Sequence, residues 1–305
     1  MWAPTYRKFR DTLTSMCRIT SPHGCEPYVW PHLPSPPSGG APGTRDAYEY
    51  GGTEIDKDGN YIVTIPGKGV DILWTSHCDT ADSYPTIVNM KWNGDMLKTD
   101  GKTILGADDK VGCAIMAMMI RAGCPGTYAF FAGEEVGCVG SSAYASKTRL
   151  LQYDACISLD RKGYDSVITH QCGTRCCSDA WGTELAKLLS DASDGYIDMS
   201  VDSTGVFTDS REFINLVPEC TNLSVGYFMQ HTPSEHTNVM FAYQLCCALI
   251  KVVSGDGIPA PRRDVTTDDD DDDTESYGSL TRWLAKRNRS IDKDMMSDED
   301  WRNML

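Results

Sequence analysis

The stretch TYAFFAGEEVG, residues 127–137, decides how this chain is read. Tyr128–Ala132 is a continuous apolar run of the kind that fills a strand buried on both faces. Two carboxylates follow at once. Neighbouring side chains on a strand point to opposite faces, so Glu134 and Glu135 share one site only if the chain turns at Gly133. Burying a carboxylate is costly unless something positive holds it. Two readings stand: a pair of solvated loop residues, or two acids with different tasks around one cationic centre.

The flanking sequence sets the architecture. Upstream, 4–17 has the apolar spacing of an amphipathic helix, stopped by SPHG at 21–24, and 31–44 is a Pro/Gly-rich loop. Residues 52–65 form two alternating runs around Lys57-Asp58-Gly59-Asn60, a hairpin signal. DILWTSH (71–77) is a buried strand and 110–123 an apolar helix. Downstream come a strand at 155–159, an amphipathic helix at 178–192, a strand at 221–228 and a buried helix at 238–255. Strands alternating with helices predict an α/β fold: a three-layer α/β/α sandwich with a mostly parallel central mixed sheet. Ligands in such sheets gather at the carboxyl ends of strands, where His77, Glu134, Glu135 and Asp160 fall. The expected organisation is a domain over 1–255, an acidic linker over 256–278 and a tail with helical potential over 279–305. In the tail, Ser297 and Asp300 have the spacing of a capping box, and Trp283, Leu284, Trp301 and Leu305 are available to contact the domain, a partner or another subunit.

Composition narrows the function. Lys and Arg total 28 against 43 Asp and Glu, a net charge of −15, and −9 remains without the run Asp268–Asp273. That charge repels phosphate backbones, so nucleic acid is not an expected partner. No apolar run approaches the ~20 residues that span a bilayer. With no leader at the start and thirteen scattered cysteines, reduced thiols in a cytoplasmic protein are expected. Cys172, Cys176 and Cys177 lack the second pair of a zinc knuckle.

The chemistry-bearing residues come in order. His77 lies in TSHCDTAD, with Asp79 two positions on, where a carboxylate can take the second ring N–H of a metal-bound histidine. ILGADDKVG (104–112) places Asp108 and Asp109 just before a helix, either as an N-cap with its neighbour or as a carboxylate spanning two cations. GEEVG follows, then SLDRKG with Asp160, then YFMQHTPSEHTNV with His231 and His236. This inventory of nitrogen and oxygen donors suits zinc and related divalent ions.

The order HxD, ADDKxG, GEExG, Asp, HTPxE resembles the di-zinc exopeptidase superfamily, which includes bacterial leucyl aminopeptidases, peptidase T and carboxypeptidase G type enzymes. The intervals agree: 31 residues from His77 to Asp108, then 27 to Glu135, 25 to Asp160 and 71 to His231. The resemblance covers roughly residues 5–255, and SPHGCE and DGNYIV echo its amino-terminal region. It implies that Asp108 bridges two metals, most simply Zn2+ with Co2+ or Mn2+ as alternatives. His77 and Asp160 would complete one site, Glu135 and His231 the other. Asp79 would orient His77, Glu134 would be the general base, and the peptide bond after Asp108 would be cis. His236 competes with His231, which the likeness of HTPSE to HTPED favours.

Around this centre, Tyr227 is a candidate to donate to an oxyanion. Arg211, in a loop with Asp209, could pair a substrate carboxylate or simply pair with Asp209 or Glu212. His170 is expected to be structural. The 71-residue interval leaves no room for an inserted dimerisation domain, so the chain resembles the compact aminopeptidase branch. The expectation is a hydrolase acting on peptides or aminoacyl small molecules, of aminopeptidase type. A carboxypeptidase or N-acyl-amino-acid deacylase on the same centre is the alternative, and a non-catalytic acidic scaffold the second.

Overall fold

In the computed structural model the residues described are 3–34, 52–67, 69–147, 153–255 and 257–263, all within one compact unit spanning 1–265. The acidic run, the capping box at Ser297 and the apolar residues of 279–305 lie outside the described residues.

The chain opens with helix α1 (Tyr6–Met16), whose N-cap Thr5 accepts from Lys8 N. A hairpin of β1 (Thr53–Ile55) and β2 (Tyr61–Ile65) follows, turning where Asp-Gly-Asn predicts. Then come β3 (Ile72–His77), a second hairpin of β4 (Met90–Asn93) and β5 (Met96–Thr99), and α2 (Ala107–Ala122). β6 (Gly126–Phe131), α3 (Val139–Lys147) and β7 (Ala155–Arg161) carry the chain through the middle of the sheet. Four short strands are β8 (Ser166–Ile168), β9 (His170–Gln171), β10 (Thr174–Arg175) and β11 (Ser200–Asp202). Helix α4 (Asp179–Ala192) precedes β11, and a 3-10 turn (Asp209–Phe213) follows it. β12 (Glu219–Ser224), β13 (Tyr227–Phe228), β14 (His236–Asn238) and α5 (Val239–Ser254) complete the described chain.

Eight strands make one mixed sheet in the order β1-β2-β6-β3-β7-β12-β8-β11, and its four middle strands β6, β3, β7 and β12 run parallel. Alternation along these strands feeds two cores. Trp74, Tyr128, Phe130 and Ile157 face the side covered by α1, α2, α4 and α5. Leu73, Phe131 and Cys156 face the other side, with Phe213 and Ala145. That period-2 division makes a strand apolar along its whole length when both faces are covered, and the result is the expected layered α/β fold. The stretch 221–228, expected as one strand, is two, because Gly226 (φ +96°) breaks it. The break sends β13 into a separate sheet of order β13-β14-β5-β4. No helix among the described residues is long and apolar enough to cross a membrane.

Candidate metal centre

The parallel strands end together. β3 stops at His77, β6 at Phe131, β7 carries Asp160 next to its last residue, and His231 lies in the loop between β13 and β14. Around these ends the two oxygens of Asp108 face different partners. Oδ1 is 3.1 Å from His77 Nε2, which also lies 3.6 Å from Asp160 Oδ1. Oδ2 is 3.1 Å from His231 Nε2, which lies 2.8 Å from Glu135 Oε1. That last approach is short, and Glu135 Oε1 is buried. Asp108, Glu135 and His231 form one group close enough to hold an ion, and His77, Asp109 and Asp160 form another.

The two aspartates of ADDKVG divide the readings that the sequence left open. Asp109 Oδ1 accepts from Gly112 N, and its Oδ2 accepts from Ser76 Oγ, so it caps the helix, while it also lies within ligand distance of His77 and Asp160. Asp108 is the carboxylate turned to the histidines, and the bond between the two is cis, as the resemblance implies. Gly112 is required by close approach: a Cβ there would lie 2.2 Å from Leu159 O.

The GEE segment turns as needed. Gly133 takes φ +72°, and the two following N–H groups are both held by Asp79, Glu134 N by Oδ1 and Glu135 N by Oδ2, each at 3.0 Å. Asp79 stays beside His77 Nδ1 as well, though through the loop rather than the strand face. Because β3 ends at His77, Asp79 is not on the strand face beside it. His77 Nδ1 bonds the Asp79 backbone oxygen at 2.9 Å, while the carboxylate is 3.5 Å away. Asp79 therefore ties the histidine loop to the glutamate turn. Glu134 also comes within ligand distance of His77 and Glu135. What separates the glutamates is surroundings: Glu135 meets His231, and Glu134 meets the Cys138 thiol.

Other residues position the cluster without having stood out in the sequence. Asn222 clamps Asp160 through both its backbone N–H and its carbonyl, and Thr208 Oγ1 donates to Asp160 Oδ2 at 2.6 Å. Glu235, the acid of HTPSE, accepts from Leu105 N, Gly106 N and Asp108 N, fixing the ADD loop. Thr99 Oγ1 holds Pro233 O, steadying the loop in which His231 adopts φ +62°. Tyr227 is committed to Asp160 as well: its hydroxyl lies 3.0 Å from both the carbonyl and Oδ1, rather than standing free for a substrate oxygen.

His236 does not join. It is paired in β14, bonds Ser234 O and stacks on Phe228, while Asn238 caps α5. His170 bonds Thr169 Oγ1 and belongs to none of the metal-compatible groups. Asp209 is buried against the centre, with neither oxygen completing a hydrogen bond. Arg211 forms no ion pair among the described residues, so the expected pairing with Asp209 or Glu212 is not made. Cys176 and Cys177 are buried free thiols and Cys172 an exposed one.

The electrostatics show what this arrangement lacks. Burial pushes Glu134 well above the usual carboxylate range, with Asp160, Glu135 and Asp209 adding to it. Burial also raises Glu135, Asp160 and Asp209, the last to about 7. Burial alone would raise Asp108, but His231 and His77 outweigh it and hold it low. Burial likewise opposes charge on the histidines, yet Asp108 and its neighbours pull His77 well up and His231 to about 10. Among the described residues no Lys or Arg pairs with Asp108, Glu134, Glu135, Asp160 or Asp209. A buried excess of carboxylate with only histidines to neutralise it is a cation site by composition, and its oxygen and imidazole donors fit zinc-like divalent ions.

Fold and site together thus give a candidate histidine–carboxylate metal centre at the carboxyl edge of a parallel sheet. The chain belongs to peptidase family M28, whose profile matches residues 60–234. A curated relative, the uncharacterized protein YqjE of Bacillus subtilis (strain 168), is 38% identical over 113 residues; the match covers 34% of this chain and spans 30% of that relative's length. Among solved structures, aminopeptidase PepT of Bacillus cereus ATCC 10987 superposes with a TM-score of 0.62 at 17% identity, covering 82% of this chain and 99% of that one. A tripeptidase of Staphylococcus aureus gives 0.63 at 15%, covering 82% and 98%. The TET1 peptidase of Pyrococcus horikoshii gives 0.58 at 14%, covering 79% and 99%. At these identities the likeness is one of fold.

Proposed function

We propose that this protein is a metal-dependent exopeptidase of aminopeptidase type, working with two divalent ions, most simply zinc, on short peptides or aminoacyl compounds in the cytoplasm. The observation that carries this is Asp108, whose two oxygens face two separate donor pairs, His77 with Asp160 and Glu135 with His231. Membership of a peptidase family supports the reaction class. The aminopeptidase and tripeptidase names of proteins sharing the fold support the exopeptidase reading.

When bound, two such ions supply Lewis-acid polarisation of a carbonyl and an acidified water. The chain's own residues do the rest. Glu134 lies within ligand distance of His77 but is not paired with His231 as Glu135 is, and we assign it as the carboxylate that accepts the water's proton and returns it to the leaving amine. Asp79 holds Glu134 and Glu135 at fixed spacing through their backbone N–H groups. Thr208, Asn222 and Tyr227 lock Asp160, and Glu235 locks the loop bearing Asp108. Asp209, unpaired and close enough to raise Glu134, offers an acceptor for a free α-ammonium group. In this reading 1–255 is the catalytic domain, with 256–278 a linker and 279–305 a tail.

Metal analysis of the purified protein, together with hydrolysis of leucyl-anilide, blocked dipeptides and acetyl-amino acids, tests this. Two metals per chain and cleavage confined to free amino termini are expected. Cleavage only of amino-blocked substrates would replace it with a carboxypeptidase or deacylase. Absence of both metal and turnover would leave a binding scaffold.

A further inference from the structure

Arg211 is half-buried, and its Nε is closed off from solvent without a hydrogen-bond partner. Its guanidinium lies over the Phe207 ring at 5.5 Å. Among the described residues it has no ion pair and no side-chain hydrogen bond. Other arginines here are provided for: Arg161 has Asp202, Arg175 has Asp179, Arg262 has Glu184, and Arg121 and Arg263 reach backbone oxygens. An arginine does not shed its proton inside a protein, so partial burial leaves a charge that needs a counter-ion. Neither Asp209 nor Glu212, its neighbours in the same turn, comes close enough to form an ion pair with it, although the Arg211 charge draws Glu212 down. A 3-10 turn has three residues per turn, so side chains two apart point well away from each other. Burial raises Glu212, and Ser142 and Arg211 only partly offset that.

The turn is fastened to the metal centre. Arg211 N bonds Thr208 O, and the Thr208 hydroxyl bonds Asp160. Along the chain, Arg211 is therefore three positions from Thr208, whose hydroxyl touches a candidate metal ligand, and two from the buried Asp209.

We propose that Arg211 is a seat for a carboxylate of the substrate, so that peptides carrying a free carboxylate near the scissile bond are preferred over neutral amides and anilides. This rests on the peptidase reading above. A planar guanidinium fork matches a carboxylate through two parallel hydrogen bonds, and stacking on Phe207 holds the plane. The carboxylate comes from one of two sources, the chain terminus of a very short peptide or an Asp or Glu side chain.

Paired substrates separate them: Leu-Gly against Leu-Gly-amide for the terminus, Leu-Glu-amide against Leu-Gln-amide for a downstream side chain, and Glu-anilide against Leu-anilide for the first residue. For the wild-type holoenzyme, at least one pair should favour the carboxylate by about 10- to 100-fold in kcat/KM, the range of a charged hydrogen bond. Arg211→Met should bring that ratio to about one, and Arg211→Lys should leave it between. The same pairs titrated by calorimetry into metal-loaded Glu134→Gln, with and without Arg211→Met, read the seat independently of turnover. If no substrate is cleaved but the carboxylate member still binds more tightly through Arg211, the peptidase reading fails and the seat survives. Equal ratios in wild type for all three pairs, or a ratio that Arg211→Met leaves unchanged, would overturn the seat.

Discussion

Two acidic clusters in this protein are built from the same residue types and solve opposite problems. In the β1–β2 hairpin, Asp56 accepts from Asp58 N, Asn60 N and Asn60 Nδ2, and Lys147 from α3 pairs with both Asp56 and Asp58. Although burial alone would raise Asp56, those bonds hold it low. At the sheet's carboxyl edge, Asp108, Glu134, Glu135, Asp160 and Asp209 crowd together without a lysine or arginine partner among the described residues, and all but Asp108 are pushed up. The hairpin carries its own cation. The candidate centre has none of its own among the described residues, and in the proposed function it receives one from outside.

The contrast can be broken experimentally. Asp108→Asn removes the carboxylate facing both donor pairs, so both metals and all measurable turnover should go; metal retained in full by the purified variant would undo the assignment. Glu134→Gln should keep the metals and lose about 10²- to 10⁴-fold in kcat, the usual worth of a positioned base. Glu135→Gln should instead lower metal content at one site, and the same behaviour in both variants would erase the division of roles.

Next is pH. Without metal, His231 is raised from 6.5 to about 10, so it holds a proton that an incoming ion must displace. Metal affinity should therefore weaken as pH falls, by about tenfold per unit for each proton displaced. The sign for apo-protein stability is the reverse: this contribution is full below pH 6.5 and disappears as pH rises to about 10. Denaturation of chelator-treated protein across that range measures it, and a rise in stability would contradict the ion pairs. The smallest effect belongs to the hairpin, where Lys147→Met should cost about 0.5 kcal/mol in urea unfolding. Turnover should not change.

Much of the centre was legible because metal ligands at strand ends leave short, ordered motifs. The strands at 71–77 and 127–132, the helix at 178–192 and the ligand candidates His77, Asp108, Glu135, Asp160 and His231 all lie where those motifs place them. The β4–β5 hairpin, absent from the expected elements, does carry a local signal in Gly94-Asp95 between its paired ends Asn93 and Met96. The short strands β8–β11 and the 3-10 turn are not legible, because their apolar alternation is too brief to stand out against loop sequence. Positioning residues were equally hidden. Thr208 and Asn222 lie 48 and 62 residues from Asp160, and nothing local marks a hydroxyl or amide that serves a distant carboxylate.

By itself, then, the sequence determined the layered fold, the inventory of donors and the turn at Gly133, since periodicity, glycine and residue chemistry are local properties. Tertiary structure alone decided which member of each ambiguous pair faces the centre. Asp108 rather than Asp109 turns its two oxygens to the two histidines, while Ser76 and Gly112 engage the other. His231 rather than His236 arrives because β14 pairs the latter into a sheet. Asp79 serves the glutamate turn because β3 ends two residues before it. Those outcomes depend on contacts between segments far apart in the chain, and such contacts exist only once it has folded.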